Sequence, residues 1–360
     1  MSPPRELSVL HVIWSGDTGG VERLVVDLAE EQAHAGTRVG VAFGRATGPF
    51  ARAAVERGLP CLDLGLVSGW DLIGAARPAA RAVAAWDLVH LHGFNVPLAA
   101  VVLRAGRPIV FTDHGRDDRR PTPADRVKRR LERRFLRRSV RAVTANSRWT
   151  ARRLTDTYGI DRSRIAVVHN GVRSTGRDPH PEPGGEDGIL VAFVGRLVPR
   201  KRVDRLLTAV SAVNRPDVRV RVIGTGPLEA HLREYSARIG VADRVEFLGL
   251  RTDVPDLLDS ADVLVLSSQD EPFGLAGIEG CERGLLPIVF ADGGGALEAL
   301  PPDGVIVQDV KALAMTLDKL VGSSALSTAA RVARVAWVRD AFPIARTAVR
   351  YDAVYRRATQ

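Results

Sequence analysis

Short apolar runs recur along the first half of the chain, at Leu7–Trp14, Arg38–Phe43, Leu59–Leu64, Asp87–Leu91, Ile109–Thr112, Ala142–Ala145 and Ile165–Val168. None exceeds eight residues, the length of a strand rather than of a core helix. Between most of them lie stretches with helical spacing. In Val21–Ala33, for example, Val21, Leu24, Val25 and Leu28 share one face. Strand and helix alternating in this way predict βαβ units, and therefore a parallel, doubly wound sheet. A second series begins at Ile189–Val194 and continues through Val218–Ile223, Val245–Leu248, Asp262–Leu266, Pro287–Phe290 and Val305–Val307. Between the two series, residues 173–188 lose all periodicity and concentrate proline and glycine, as a linker does. The last stretch, from Ala336 to Thr359, is helical in pattern but broken at Pro343. The expected division is residues 1–173, a linker at 174–188, a second α/β domain at 189–335, and a helical segment at 336–360 that packs on the first domain.

Composition changes this picture little. A chain of 360 residues, 45% hydrophobic and 26% charged, has the balance of a soluble globular protein with two or three domains. No apolar run approaches the roughly 18 residues of a membrane span. The N-terminal residues lead into a strand without a secretory apolar region, so a cytoplasmic location is expected. Two cysteines, Cys61 and Cys281, give no framework for disulfides or zinc. The net charge of +9 matters at one place, the arginine-rich stretch 116–141. There Val127, Leu131 and Phe135 recur every fourth residue, giving a basic helix with a narrow apolar stripe. Such a helix around 124–138 either packs on its own domain through the stripe or touches anionic lipid peripherally. With one aromatic and no nucleic-acid-binding module, the patch is not expected to bind nucleic acid.

The densest chemistry lies at Ser267-Ser268-Gln269-Asp270-Glu271-Pro272-Phe273-Gly274-Leu275-Ala276-Gly277-Ile278-Glu279. Two carboxylates stand eight positions apart after a buried strand, with Pro272 and Gly274 marking the turn into a helix. Glu271 would sit at the open edge of the sheet and Glu279 about two turns down the helix, roughly 12 Å apart along the helix axis. That suits a long polar ligand better than a single bond under attack, since glycosidase carboxylate pairs sit about 5–9.5 Å apart. Unpaired amides at the helix start favour phosphate. A nucleotide sugar fits this order of groups, with Glu271 on the sugar and Glu279 on the ribose. Upstream, Val194-Gly195-Arg196-Leu197-Val198-Pro199-Arg200-Lys201 ends the first strand of the second series. Arg196 and Lys201 at that strand end would neutralise a departing diphosphate. In the first series, Gly19 and Gly20 follow strand one, where glycine permits close backbone approach and positive φ. The dinucleotide fingerprint G-x-G-x-x-G is missing there, which disfavours a Rossmann-type oxidoreductase. No Asp-x-Asp, zinc-ligand spacing, H-E-x-x-H or G-x-S-x-G pattern occurs either, so no metal or further cofactor is expected.

The E-x7-E element, together with G-R-x-x-x-x-K at Gly195–Lys201, resembles the family-4 retaining glycosyltransferases of the GT-B superfamily. The likeness extends over nearly the whole chain. It implies two Rossmann-like domains facing a cleft, with the last helix crossing back to the first domain through Val349, Val354 and Tyr355. It implies a metal-independent retaining transfer, in which Glu271 orients the donor sugar and the diphosphate helps remove the acceptor proton. Phe273, Gly274 and Leu275 would lie along the donor, the latter two offering backbone amides to phosphate. His114, in Thr112-Asp113-His114-Gly115, falls where the family carries a histidine near the donor sugar; His90 and His92 are weaker candidates. Gly224, in Gly224-Thr225-Gly226-Pro227, would border the nucleotide, and Leu248 and Arg251 the base. Gly293-Gly294-Gly295 and Glu298 echo the Gly-Gly and Glu after the E-x7-E helix, and Asn170-Gly171-Val172 matches a hinge element. Two departures stand out: Arg202 replaces the glycine common after the lysine, and Arg283-Gly284-Leu285-Leu286-Pro287 is one residue longer than usual. The donor would be a nucleotide-diphosphate sugar, UDP or GDP, and the acceptor a small molecule, saccharide or lipid-linked group. The rivals are a nucleotide-sugar 2-epimerase on the same fold and a non-catalytic sugar- or membrane-binding module.

Overall fold

The computed structural model describes residues 7–17, 19–66, 76–115, 123–174, 176–179 and 188–360. The chain divides into two compact units, residues 1–173 with 344–360, and residues 174–343.

In the first unit, β1 (Ser8–Ser15), α1 (Gly20–His34), β2 (Arg38–Arg45), α2 (Pro49–Glu56), β3 (Cys61–Asp63) and α3 (Ala76–Val83) come first. They are followed by β4 (Leu88–His92), α4 (Val96–Ala105), β5 (Ile109–Asp113), α5 (Pro123–Arg138), β6 (Ala142–Ala145), α6 (Arg148–Tyr158) and β7 (Ile165–Val167). The described strands form one sheet in the order β3-β2-β1-β4-β5-β6-β7. Every pairing is parallel. The order reverses between β1 and β4, the switch point at which such sheets bind ligands beyond their carboxyl ends. Each predicted apolar run contains a strand: the inner β4 and β5 are buried throughout, whereas the edge strand β3 is half-buried to exposed.

The second unit runs β8 (Ile189–Val194), α7 (Val203–Ser211), β9 (Val218–Ile223), α8 (Glu229–Arg238), β10 (Val245–Gly249) and α9 (Val254–Asp259). It continues with β11 (Val263–Leu266), α10 (Leu275–Cys281), β12 (Leu286–Phe290), β13 (Val305–Val307), α11 (Val310–Leu320) and α12 (Thr328–Ala341). Its parallel sheet has the order β10-β9-β8-β11-β12-β13. The longer Arg283–Pro287 connection does not disturb register. Gly284 takes φ +81, Leu285 is fully buried, and Val263 still pairs with Leu286.

The final helix, α13 (Ile344–Thr359), belongs to the first unit and packs on α1. Residues 336–341, expected with it, instead end α12 in the second unit. Val354 and Tyr355 are buried as anticipated, but Val349 is 68% exposed. The buried face is Ile344, Thr347, Ala348, Tyr351, Val354, Tyr355 and Ala358, a three-four spacing that leaves Val349 opposite. Asn170-Gly171-Val172 seats this helix: Val172 accepts from the Ile344 amide, and a Cβ on Gly171 would lie 2.7 Å from Ile344 Cα. Of the expected linker, 175 and 180–187 lie outside the described residues, while the Ser174 hydroxyl donates to Glu282 and Arg177 pairs with Asp256 inside the second unit.

The apolar stripe expected on α5 is also corrected. Phe135 is buried, but Val127 and Leu131 are 56% and 46% exposed; Leu136 and Glu132 fill the buried face instead. Glu132 is tolerated there because its carboxylate accepts from Tyr158 at 2.9 Å.

Candidate functional site

In the second unit, the carboxyl ends of β8, β9 and β10 are tied into one backbone platform. Gly195 donates to Ile223, Gly224 to Gly249, Leu197 to Thr225, and Leu228 to Leu197, all at 2.8–3.1 Å. Glycine is obligatory at two of these positions. Gly224 has φ +133, and a Cβ there would sit 2.1 Å from the Gly195 carbonyl; one on Gly226 would sit 2.4 Å from that of Leu197. Arg196 belongs to this platform through its carbonyl, which accepts from the Val198 amide at 2.9 Å, and the residue is exposed.

Lys201 turns inward to meet the strand end of β11. Its Nζ donates to Glu271 Oε2 at 2.8 Å, and the Arg200 guanidinium lies 3.6 Å from the same oxygen. Glu271 is only 7% exposed. Burial pushes its carboxyl up, but the charges of Lys201 and Arg200, with hydrogen bonds from Lys201 and Ser268, hold it down at about 2. It is an ionised, acceptor-only group at neutral pH. The backbone fixes it from both sides: the Lys201 carbonyl accepts from Ser267 Oγ, the Arg200 carbonyl from the Gln269 amide, and the Glu271 carbonyl from the Gly295 amide at 2.7 Å. Asp270, in the left-handed region at φ 55, turns the chain between them. Arg200, Ser268 and Gly295 were not among the expected site residues. Gly295 lies in the Gly293–Gly295 element already singled out, and Arg200 stands next to the lysine, so adjacency was the available signal.

The helix after Glu271 is shorter than expected. It starts at Leu275 and ends at Cys281; Glu271 stands before it, beyond the end of β11 as expected, but the 12 Å separation counted at helical rise from Glu279 does not apply. Glu279 lies in its second half, half-buried. Gly274 precedes the helix at φ 78, where a Cβ would meet Leu266 Cδ2 at 2.8 Å. Leu275 is half-buried. Phe273, expected along the donor, is 1% exposed and packs edge-on against Phe342, so it belongs to the core. Leu248 is half-buried near the end of β10, and Arg251 is exposed with both its Nε and an Nη on the Asp253 carboxylate. Arg202 occupies the expected glycine position in a glycine conformation, φ 46 and ψ 43, and pairs with Asp204.

In the first unit, Gly19 and Gly20 open α1, but neither uses a positive φ: Gly19 is extended at φ −177. A Cβ at Gly19 would meet only the Glu22 carboxylate, at 2.1 Å from Oε2, the movable end of a flexible side chain, so neither conformation nor backbone contact demands glycine there. His114 follows β5, in a turn closed by Asp113, whose carboxylate accepts from the Gly115 amide and pairs with Arg153. Its Nε2 lies 2.9 Å from His92 Nδ1; His92 Nε2 lies 2.9 Å from His11 Nδ1; His11 Nε2 lies 2.7 Å from Gln32 Oε1. His90 sits beside them, bonded to Tyr355 and Thr112. Linear spacing hid this group because parallel pairing sets His11 of β1 level with His90 of β4. Ligand-capable nitrogens of His11, His90 and His92 fall within 4.8 Å of one another, so a histidine cluster exists that sequence reasoning missed.

Comparison with known proteins agrees with this architecture. Residues 18–175 match the family description "Glycosyltransferase Family 4", and residues 177–334 match "Glycosyl transferases group 1". A protein of Salinispora arenicola named D-inositol 3-phosphate glycosyltransferase is 31% identical over 91% of this chain and 85% of its own length. One of the same name from Streptomyces scabiei is 30% identical over 80% of this chain and 74% of its own length. The Anabaena protein Alr3699/HepE, solved with UDP and glucose, superposes with a TM-score of 0.83 at 20% identity, covering 98% of this chain and all of that one. Sucrose-phosphate synthase from Thermosynechococcus elongatus gives 0.78 at 19% identity over 98% of each chain. With the GT-B fold shared and the sequence likeness spanning both units, the chain belongs to glycosyltransferase family 4 and is a glycosyltransferase that uses a nucleotide sugar.

Proposed function

We propose that the second unit binds a UDP- or GDP-linked sugar without metal, and that the sugar is transferred with retention to a hydroxyl of a small-molecule, saccharide or lipid-linked acceptor. The observation that carries this reading is the buried, ionised Glu271 held by Lys201 and Arg200. A carboxylate fixed in this way accepts hydrogen bonds from sugar hydroxyls without having to be ordered first. Lys201 has three N–H donors and spends one on Glu271, leaving two for phosphate oxygens. Arg196, exposed on the adjoining platform, adds a second cation against the charge that grows on a departing diphosphate. Glu279 takes the ribose, Gly274 and Leu275 the phosphates, and Gly224, Leu248 and Arg251 the nucleoside. The names of the relatives put a phosphorylated cyclitol first among acceptors to test, and the HepE complex with UDP and glucose puts UDP first among nucleotides.

Titration calorimetry with UDP, GDP, ADP and TDP, without added metal, tests the donor site. One nucleotide should bind preferentially, and Arg196→Ala should weaken it tenfold or more, about 1.4 kcal/mol. No binding to any of the four would overturn the reading. With the preferred donor, the anomeric configuration of the product, read by NMR, decides retention; release of an epimerised free sugar would restore the epimerase alternative. Peripheral membrane contact through α5 forms part of the proposal. Val127 and Leu131 stand exposed among arginines, a pairing suited to anionic lipid. Sedimentation with phosphatidylglycerol vesicles should fall in the double variant Val127→Asp, Leu131→Asp; equal sedimentation would refute it.

A further inference from the structure

Two arginines stack on tryptophans at the two ends of β2, and their surroundings differ. At the amino end, the Arg38 guanidinium lies 5.3 Å from the Trp86 ring, and the residue is exposed. At the carboxyl end, the Arg45 guanidinium lies 5.7 Å from the Trp14 ring, and the residue is half-buried. Arg45 Nε is shut off from water and has no hydrogen-bond partner. Four other described arginines, Arg153, Arg173, Arg200 and Arg331, also bury an unpartnered Nε, but each reaches a carboxylate through a terminal nitrogen at 2.7–3.6 Å. The Arg45 guanidinium has no ion pair or hydrogen bond among the described residues, only the ring.

The local structure holds it in this state. Gly44 admits the Trp14 ring, since a Cβ there would fall 3.0 Å from Trp14 Cε3 and 2.8 Å from the Trp14 carbonyl. The segment after β3 pins the same strand end. Leu66 donates its amide to the Gly44 carbonyl at 2.8 Å, and Asp63 Oδ1 accepts from the Ala46 and Gly65 amides at 3.3 and 3.0 Å. The exposed Asp17 accepts from the Thr47 hydroxyl at 3.5 Å. Neither carboxylate pairs with Arg45. Ser15 and Arg45 are register partners where β1 and β2 end, on the side of a parallel sheet that receives ligands. A planar fork of five donors with a buried, unpaired nitrogen is completed by an anion, which it holds through two parallel hydrogen bonds. The tryptophan fixes the plane of the fork without competing for its N–H groups.

We propose that Arg45, braced on Trp14, is an anion subsite of the first unit that takes the phosphate of a phosphorylated acceptor and so selects such acceptors over neutral ones. This rests on the reading above that the chain transfers a sugar from a nucleotide, and it narrows the acceptor to a phosphate monoester. Lys201 and Arg196 of the second unit already serve the diphosphate in that reading, so the charge left for Arg45 is the acceptor's.

Phenylglyoxal modification of the full chain, read arginine by arginine by peptide mass spectrometry, tests the subsite without reference to turnover. Inorganic phosphate should slow modification of Arg45 about fivefold or more relative to chloride at equal ionic strength, and leave Arg38 unprotected. With D-inositol 3-phosphate, the cyclitol phosphate in the relatives' names, Arg45→Gln should raise acceptor KM about thirtyfold, as loss of a charge-assisted contact does, with a smaller change in kcat. Arg45→Lys keeps the charge but not the fork and should recover to within about tenfold of wild type. Arg38→Gln should match wild type, and UDP affinity should stay within about twofold in all three variants. No protection of Arg45 by phosphate, or an unchanged acceptor KM in Arg45→Gln, overturns this proposal alone. A loss of UDP affinity in Arg45→Gln also overturns it, because the occupant would then be the nucleotide's own phosphate. Protection of Arg45 in a chain that binds no nucleotide and transfers nothing overturns the functional reading instead, and the acceptor assignment with it.

Discussion

Replacing Lys201 with methionine keeps the side chain's bulk but removes the charge 2.8 Å from a buried carboxylate. In the folded chain the Glu271 carboxyl lies at about 2 against an ordinary value of 4.5. That difference corresponds to about 3 kcal/mol of stability at neutral pH. Because the folded value is the depressed one, the contribution is complete above pH about 4.5 and is lost as pH falls toward 2. Without Lys201, only Arg200 at 3.6 Å opposes the desolvation that pushes the carboxyl up. Breaking one partner of a buried pair costs about 3–5 kcal/mol; the remaining arginine argues for the lower end, about 3 kcal/mol at pH 7. The gap between wild type and variant should shrink to less than half by pH 3, where the wild type has lost most of its advantage. Hydrogen exchange in a urea series, followed on peptides from β8 and β11, reports the opening free energy of the second unit alone. A loss under about 1 kcal/mol at pH 7, or a gap of equal size at pH 3 and pH 7, would refute the assignment of Lys201 as the principal counter-charge.

Three other perturbations probe different parts of the structure. Gly224→Ala forces a Cβ to 2.1 Å from the Gly195 carbonyl at φ +133 and should lower stability by about 2 kcal/mol or more in thermal melts, whereas Gly36→Ala, at φ +89 with open space around it, should lose only about 1. Similar losses at both sites would show that conformation, not contact, sets the cost. Arg202→Gly should be neutral to within about 0.5 kcal/mol, since relief of the left-handed φ offsets added chain entropy and the lost Asp204 pair, while the β-branched Arg202→Val should lose about 2; equal melts for the two variants would contradict this. The Cys281 thiol is fully buried and pushed up by burial to about 12, so iodoacetamide at pH 8 should modify the half-buried Cys61 in the native chain and spare Cys281; equal labelling would refute it.

Periodicity carried the fold because parallel strands covered on both faces are largely apolar, and every run identified in the sequence contains a strand of one of the two sheets. Face assignments on exposed helices were less legible. On α5 the buried positions are Glu132, Phe135 and Leu136, and a charged residue among them cannot be found by hydrophobic spacing. The inward turn of Lys201 was also illegible, since sequence shows the two opposite charges but not that 70 positions of separation close to 2.8 Å. Phe273 was misplaced because an aromatic beside a candidate carboxylate looks like a ligand contact when its core partner, Phe342, lies far along the chain. The histidine group was invisible for a related reason: it exists only in the lateral register of β1 and β4.

The return of α13 to the first unit has a consequence for synthesis. Tyr355, whose hydroxyl is hydrogen-bonded to His90 Nδ1, is made 265 residues after it. A ribosome adding about 5–20 residues per second needs roughly 10–30 s to make the second unit's residues 174–343 before α13 begins to emerge. Throughout that interval the face of the first sheet that bears His11 and His90 waits without Tyr351 and Tyr355. The unit begun first is therefore completed last, and its nascent form carries an open polar seam that a holdase-type chaperone or a slow-codon stretch would have reason to guard.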